Sequence, residues 1–221
     1  MTEQMWLVAE NRSKVYDFLA QLFLNPIPTP GDDYIKKLSK AVDGFSEDYG
    51  LEDHKQGVHL LKNFKAAINC SDLQKMQKHL AIDRTKLCRG TPRSNNISPP
   101  YEALYLTPEK ETEQLLLLVQ FYQKAGLTMS DESHERLDYI GIELAFMAEL
   151  CTREAASIRK GEENKYKEIL LLEQKFLNEH LLKWVLDYCA QMINFAQTEF
   201  FRGIGHLLRA FLQEERETVA C

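Results

Sequence analysis

Helical spacing of apolar residues, repeated from end to end, is what most restricts the fold open to this chain. Over residues 3–24, Met5, Val8, Arg12, Val15, Leu19 and Leu22 follow one another at three- and four-residue steps, the period that keeps side chains on one face of an α-helix. The same reading predicts helices over about 33–42, 51–69, 71–87, 109–125, 131–159, 163–179, 180–200 and 203–217. No β-branched run alternates long enough to form a strand. The expected fold is therefore all-α, a single helical domain over 1–221 with about eight to ten helices.

The breaks between helices are chemically explicit. Asn25-Pro26-Ile27-Pro28-Thr29-Pro30-Gly31 ends the first helix, because proline removes an N–H donor and turns the residue before it away from helical geometry. Asp32 or Asp33 then stands where a cap for the next helix is needed. Gly126 and Gly161 mark two later ends. The stretch Cys88–Pro100, with Arg89-Gly90-Thr91-Pro92-Arg93-Ser94-Asn95-Asn96 at its centre, is small, polar and turn-rich. It reads as a mobile surface loop, or as a hinge between amino- and carboxy-terminal helical halves.

Composition excludes several functions. The longest unbroken apolar run, Leu115 to Val119, is too short to span a bilayer. Met1-Thr2-Glu3-Gln4-Met5-Trp6 carries no basic segment ahead of an apolar run, so no secretory signal is expected and the chain reads as intracellular. The net charge of −6 is unevenly placed. Residues 1–100 hold 14 Lys+Arg against 12 Asp+Glu, whereas residues 101–221 hold 13 against 21, a local charge of −8. An acidic half disfavours nucleic acid and favours a basic partner, although solvated acidic helices give the same bias. Cys70, Cys88, Cys151, Cys189 and Cys221 are odd in number and form no CxxC pair, which points to free thiols rather than a disulfide framework or a zinc site.

Catalytic and cofactor signatures do not emerge. The six histidines, His54, His59, His79, His134, His180 and His206, fit neither HExxH nor a pair of Glu-x-x-His motifs. Asp131-x-x-His134 is a weak pair, and Gly203-Ile204-Gly205 is too short to cradle phosphates. No Ser-His-Asp or Cys-His arrangement can be assigned. The chain is expected to be no enzyme and to carry no metal or cofactor.

Five segments in order carry a resemblance. They are Arg12-x-x-x-Tyr16-x-x-Leu19-Ala20; Ser98-Pro99-Pro100-Tyr101-Glu102-x-x-Tyr105-Leu106; Phe121-Tyr122-x-x-x-Gly126-Leu127; Glu135-x-x-Asp138 followed by Ile140-Gly141-x-Glu143-Leu144-x-Phe146-Met147; and Phe176-Leu177-x-x-His180-Leu181-x-x-Trp184. The set covers most of the chain and resembles the TorD/DmsD family of cytoplasmic chaperones that hold redox-enzyme precursors before export. Two departures stand out. Leu137 and Tyr139 occupy the places of the proline and histidine in the family's acidic motif. Tyrosine keeps a hydrogen-bonding ring but cannot become cationic near neutral pH. Ala103 stands where relatives often have serine.

The resemblance implies an all-helical chaperone, monomeric or homodimeric, that binds the twin-arginine leader, the apo catalytic subunit, or both, of a molybdopterin-containing oxidoreductase. It assists cofactor insertion and proofreading before export. The peptide-binding residues implied are Tyr101, Tyr105, Glu135, Asp138, Tyr139 and Ile142. Read as helix, residues 135–149 turn Leu137, Ile140, Leu144, Met147 and Cys151 to the core and Glu135, Asp138, Ile142 and Glu149 to another side. Residues 131–149 contain six acids against the single base Arg136. Carboxylates accept paired hydrogen bonds from guanidinium groups, and aromatic rings stack on them. Two readings stand for Asp138: a contact to partner arginines, or a helix cap paired with an internal base. Tyr101 and Tyr105 serve either a groove or the core, and Glu143 reads as a buried structural partner. Two alternatives complete the reading. One is a NarJ-like assembly chaperone for a molybdoenzyme subunit that is not exported; the other is a small helical metal enzyme or hydrolase.

Overall fold

The computed structural model describes residues 3–29, 33–46, 50–69, 72–90, 97–106, 111–127 and 135–219. Among them the chain is all-α, with an isolated β-bridge between Tyr101 and Tyr139 and no strand. The helices are α1 (Glu3–Leu24), α2 (Tyr34–Val42), α3 (Glu52–Ile68), α4 (Leu73–Arg89), α5 (Glu102–Tyr105), α6 (Glu111–Lys124), α7 (Ile140–Lys160), α8 (Glu163–Phe176), α9 (Leu182–Phe195) and α10 (Glu199–Val219), with a π-helical turn at Leu177–Leu181. No helix among the described residues is long and apolar enough to cross a membrane.

The chain forms two compact units. The first takes residues 1–25, 101–184 and 216–221; the second takes 26–100 and 185–215. Each unit is thus assembled from separated stretches of chain, not from an amino-terminal and a carboxy-terminal half.

In the first unit α1 packs along α7. Gly141 lets the two approach, since a Cβ there would stand 2.8 Å from Leu24 Cγ. Arg12 of α1 is buried, with Nη1 2.7 Å from Glu154 of α7 and Nη2 2.6 Å from Glu173 of α8. Of the face expected from the spacing, Arg12, Leu19 and Leu22 are buried, Met5 and Val15 are half-buried, and Val8 is 51% exposed; Ala9, Tyr16, Ala20 and Phe23 complete the buried line.

In the second unit α3 and α10 cross where glycine meets glycine. A Cβ on Gly57 would lie 3.0 Å from the Gly203 carbonyl oxygen, and one on Gly203 would lie 3.0 Å from that of Gly57. Asp72 caps α4, its carboxylate accepting from the N–H groups of Gln74 and Lys75. The buried Asp83 of α4 caps α10 from outside, accepting from the backbone N–H groups of Gln197 and Thr198 and from the Thr198 hydroxyl. That cap moves the start of α10 to Glu199, four residues earlier than the spacing predicts. Asp53 of α3 joins His206 at 2.7 Å and the Nε of Arg209 at 2.6 Å, both on α10. Hydrogen bonds from these partners outweigh partial burial and hold the Asp53 carboxyl below its ordinary range.

Two further boundaries differ from expectation. No break separates 179 from 180; α8, the π turn and α9 run on without interruption from Glu163 to Phe195. The extra residue of the π turn is absorbed where Leu177, His180 and Leu181 are all buried. The helix expected over 131–159 starts only at Ile140; residues 131–134 lie outside the described residues, and 135–139 are not helical. Cys88, Cys151 and Cys189 are buried thiols outside any disulfide, and burial pushes the Cys189 thiol far above its ordinary pKa. Cys70 and Cys221 lie outside the described residues, as do residues 91–96 of the expected loop.

Candidate functional site

The proline-aromatic segment and the acidic segment meet in the first unit. Pro99 and Pro100 deliver Tyr101 in an extended conformation, φ −119° and ψ 126°, ahead of the single-turn helix α5. Tyr139 is extended likewise, φ −79° and ψ 135°, and acts as N-cap of α7. The two tyrosines pair as an antiparallel bridge, and the Glu102 N–H donates to the Asp138 carbonyl at 2.9 Å. A helix running through 135–139 would forgo this pairing, which is why the two-faced helix expected over 135–149 begins late. From Ile140 onward the expected core positions hold: Ile140, Leu144, Met147 and Cys151 are fully buried.

Asp138 is the hub. It is 1% exposed. Its Oδ2 accepts from the Ala103 N–H at 3.3 Å, so it caps α5 rather than α7. Arg136 grips it with Nε–H to Oδ1 at 2.9 Å and Nη2–H to Oδ2 at 2.8 Å. The remaining Nη1 of Arg136 lies 2.6 Å from Glu111 at the start of α6. The guanidinium also sits 4.9 Å from the centroid of the Tyr101 ring. The Asp138 hydrogen bonds, opposed by partial burial, hold the Arg136 pKa above its ordinary value. The Tyr101 hydroxyl donates to the exposed Glu135 at 3.4 Å. Partial burial, with Glu135 adding to it, raises the Tyr101 pKa.

Beneath this surface lies a buried polar layer. Glu102 accepts His180 Nδ1 at 2.9 Å, and the His180 ring is stacked on Phe176 and edge-on to Phe121. Glu143 is wholly buried; its Oε2 accepts from Trp184 Nε1–H at 3.2 Å, and its Oε1 has no hydrogen-bond partner among the described residues. Burial first, then the nearby Glu102 and Asp138, push the Glu143 pKa well above its ordinary value against the opposing Trp184 bond. The Tyr122 hydroxyl donates to the Leu137 carbonyl, and its burial raises its pKa strongly.

The six residues marked from sequence fall into two groups. Glu135 is exposed, and Tyr101, Tyr105 and Ile142 are half-buried. Asp138 and Tyr139 are buried, and the Tyr139 hydroxyl donates to the Phe23 carbonyl at 3.0 Å. The Tyr101 and Tyr139 rings are 5.3 Å apart, and the Tyr105 ring packs tilted against Trp184 at 5.2 Å. The internal base that one sequence reading pairs with Asp138 is Arg136; Glu102, His180 and Trp184 carry no sequence signal beyond their place in the family segments.

Elsewhere in the first unit, Cys151, Glu154 and Glu173 bring possible metal-ligand atoms within 4.8 Å of one another. Arg12 already supplies the cation those two carboxylates need. In the second unit an open groove of about 480 Å³ is lined by Phe64, Met76, Leu80, Lys75, His79 and Glu199, among others. It contains none of the residues singled out from sequence.

Fold and site together give an all-α chain in which a buried polar layer lies beneath carboxylate and aromatic side chains. Residues 51–190 match the model of the family described as nitrate reductase delta subunit, and the chain belongs to that family, which includes the TorD and DmsD chaperones. Its members are chaperones and not enzymes. The chain is 24% identical over 211 residues to the chaperone protein TorD of Photobacterium profundum, spanning 92% of each. It is 28% identical over 118 residues to the perchlorate reductase assembly chaperone of Dechloromonas aromatica, covering 53% of this chain and 51% of that one. Over 119 residues it is 28% identical to the probable Tat proofreading chaperone DmsD of Haemophilus influenzae, with the same coverage.

Proposed function

We infer that this chain is a cytoplasmic maturation chaperone for a molybdopterin-containing oxidoreductase. It holds the enzyme's amino-terminal twin-arginine leader, with the apo catalytic subunit behind it, until the cofactor is in place. The relatives support this reading by name, one as a Tat proofreading chaperone and others as assembly chaperones of perchlorate and selenate reductases. The observation that carries it is the exposed Glu135 carboxylate joined to the half-buried Tyr101 ring, with Asp138 paired to a guanidinium beside them. This surface offers carboxylate and aromatic faces together, the chemistry that recognises a guanidinium followed by an apolar stretch. No bond is made or broken. Occlusion of the leader delays export, and release hands it on.

Tyr139 fixes the Tyr101 segment against the start of α7 from inside, and Asp138 caps α5 while its carboxylate also faces a guanidinium. Glu135→Gln combined with Asp138→Asn is expected to weaken binding of an arginine-pair leader peptide at least tenfold, about 1.4 kcal/mol. Unchanged affinity in calorimetric titration removes both residues from the site. The description of the matching family favours a second reading, a partner subunit that is never exported. Replacing both leader arginines by lysine separates the two, since lysine lacks the paired donors: affinity falls under the first reading and holds under the second.

A further inference from the structure

The surface assigned to a partner arginine already holds one. Arg136 places two parallel N–H donors on the oxygens of Asp138 and a third nitrogen on Glu111, and lies over the face of Tyr101. These are the means by which proteins bind a guanidinium: a fork on one carboxylate, a second carboxylate, and an aromatic ring.

The burial pattern shows which partner is fixed and which can leave. The Asp138 side chain is 2% exposed and the Arg136 side chain 40%. Asp138 is anchored by the Ala103 N–H and by its own carbonyl bond to Glu102. Residues 135–139 lie outside any helix, so Arg136 can swing away without breaking a helical hydrogen bond. Glu111 and Asp138 set two carboxyls against one guanidinium, and Glu135 joins the Tyr101 hydroxyl beside them, which leaves the cluster attractive to a second cation.

We propose that Asp138, Glu111 and Tyr101 form an arginine-binding site whose resident ligand is Arg136, and that an arginine of the partner enters it by exchange. Only the identity of the incoming arginine rests on the leader reading. Arg136 then lowers apparent affinity by occupying the site, because a binding-competent state populated only in part weakens binding by that fraction. It also supplies a built-in means of release, since it can return to the vacated site.

The test uses the full chain with two probes, an arginine-pair leader peptide and Nα-acetylarginine amide. Arg136→Gln is expected to bind the leader at least tenfold more tightly than the unaltered protein. It should also take up acetylarginine amide, and Arg136→Gln/Asp138→Asn should not. Equal or weaker leader affinity in a folded Arg136→Gln protein overturns the proposal. If neither protein binds the leader but Arg136→Gln takes up acetylarginine amide, the site stands and the leader reading fails. Uptake of neither probe overturns the site. Should Arg136→Gln not fold, Arg136→Lys decides the matter, because it keeps the charge and loses the fork. Tighter leader binding then supports exchange, and unchanged or weaker binding refutes it.

Discussion

Replacing Glu143 by Gln tests the electrostatics of the buried layer directly. The native carboxyl is fully enclosed, shares its surroundings with Glu102 and Asp138, and receives the Trp184 N–H. Tyr122, whose own pKa these acids raise, adds no cation. The folded pKa therefore lies well above the ordinary value of 4.5. In the unfolded chain the group ionises near that ordinary value, so above it the native state binds one proton more than the unfolded state. Stability must then fall as pH rises from the unfolded pKa toward the folded one. The slope is about 1.4 kcal/mol for each pH unit while the native group stays protonated and the unfolded one ionised. Glutamine keeps the shape and the acceptor for Trp184 without titrating. The difference in unfolding free energy between Glu143→Gln and the unaltered protein is expected to grow in the variant's favour as pH rises above the ordinary carboxylate value, by at most about 1.4 kcal/mol per pH unit. Denaturant titrations at pH 5, 6 and 7, followed through the fluorescence of the buried Trp184, measure it. A difference that does not change with pH would show that Glu143 is ionised in the folded protein, and the account of the buried layer would fail.

Arg12→Met removes the cation between Glu154 and Glu173 and leaves two buried carboxylates uncompensated, at a cost of about 3–5 kcal/mol. Converting both glutamates to glutamine in that background should recover much of it, as thermal denaturation of the single and triple variants will show. Gly57→Ala drives a Cβ to 2.8 Å from Leu207 Cγ and 3.0 Å from the Gly203 carbonyl. It is expected to cost about 1–3 kcal/mol, and a melting temperature within 1 °C of the parent would contradict the close α3–α10 crossing.

What could be read from the sequence follows from how local each determinant is. The extent of α1 was legible because residues 3–24 carry the helical period and Pro26, Pro28 and Pro30 end it. Its buried face was legible in part: Arg12, Leu19 and Leu22 are buried as the spacing predicts and Val8 is not, while the partners of Arg12, Glu154 and Glu173, lie more than 140 residues away. The start of α10 depends on Asp83, 115 residues from Thr198. Asp138 shows the same limit at close range. Its partner Arg136 is two residues away, a spacing that helix geometry would place on different sides. An internal base is one of the two sequence readings of Asp138; the two-bond fork from Arg136 is not, because the segment reads as helix. The Tyr101–Tyr139 bridge that keeps it from being helix is a long-range pairing. Glu102 and His180, 78 residues apart, meet only in the folded unit.

The central claim is that the chain holds a redox-enzyme precursor by its leader. Affinity capture from the native cytoplasm with the full chain as bait, followed by mass spectrometry of the captured protein's amino terminus, tests it most directly. The account predicts one molybdoenzyme catalytic subunit, recovered with its arginine-pair leader uncleaved and lost when excess leader peptide is added. Capture of that subunit with the leader already removed, or capture that leader peptide does not compete away, would contradict it.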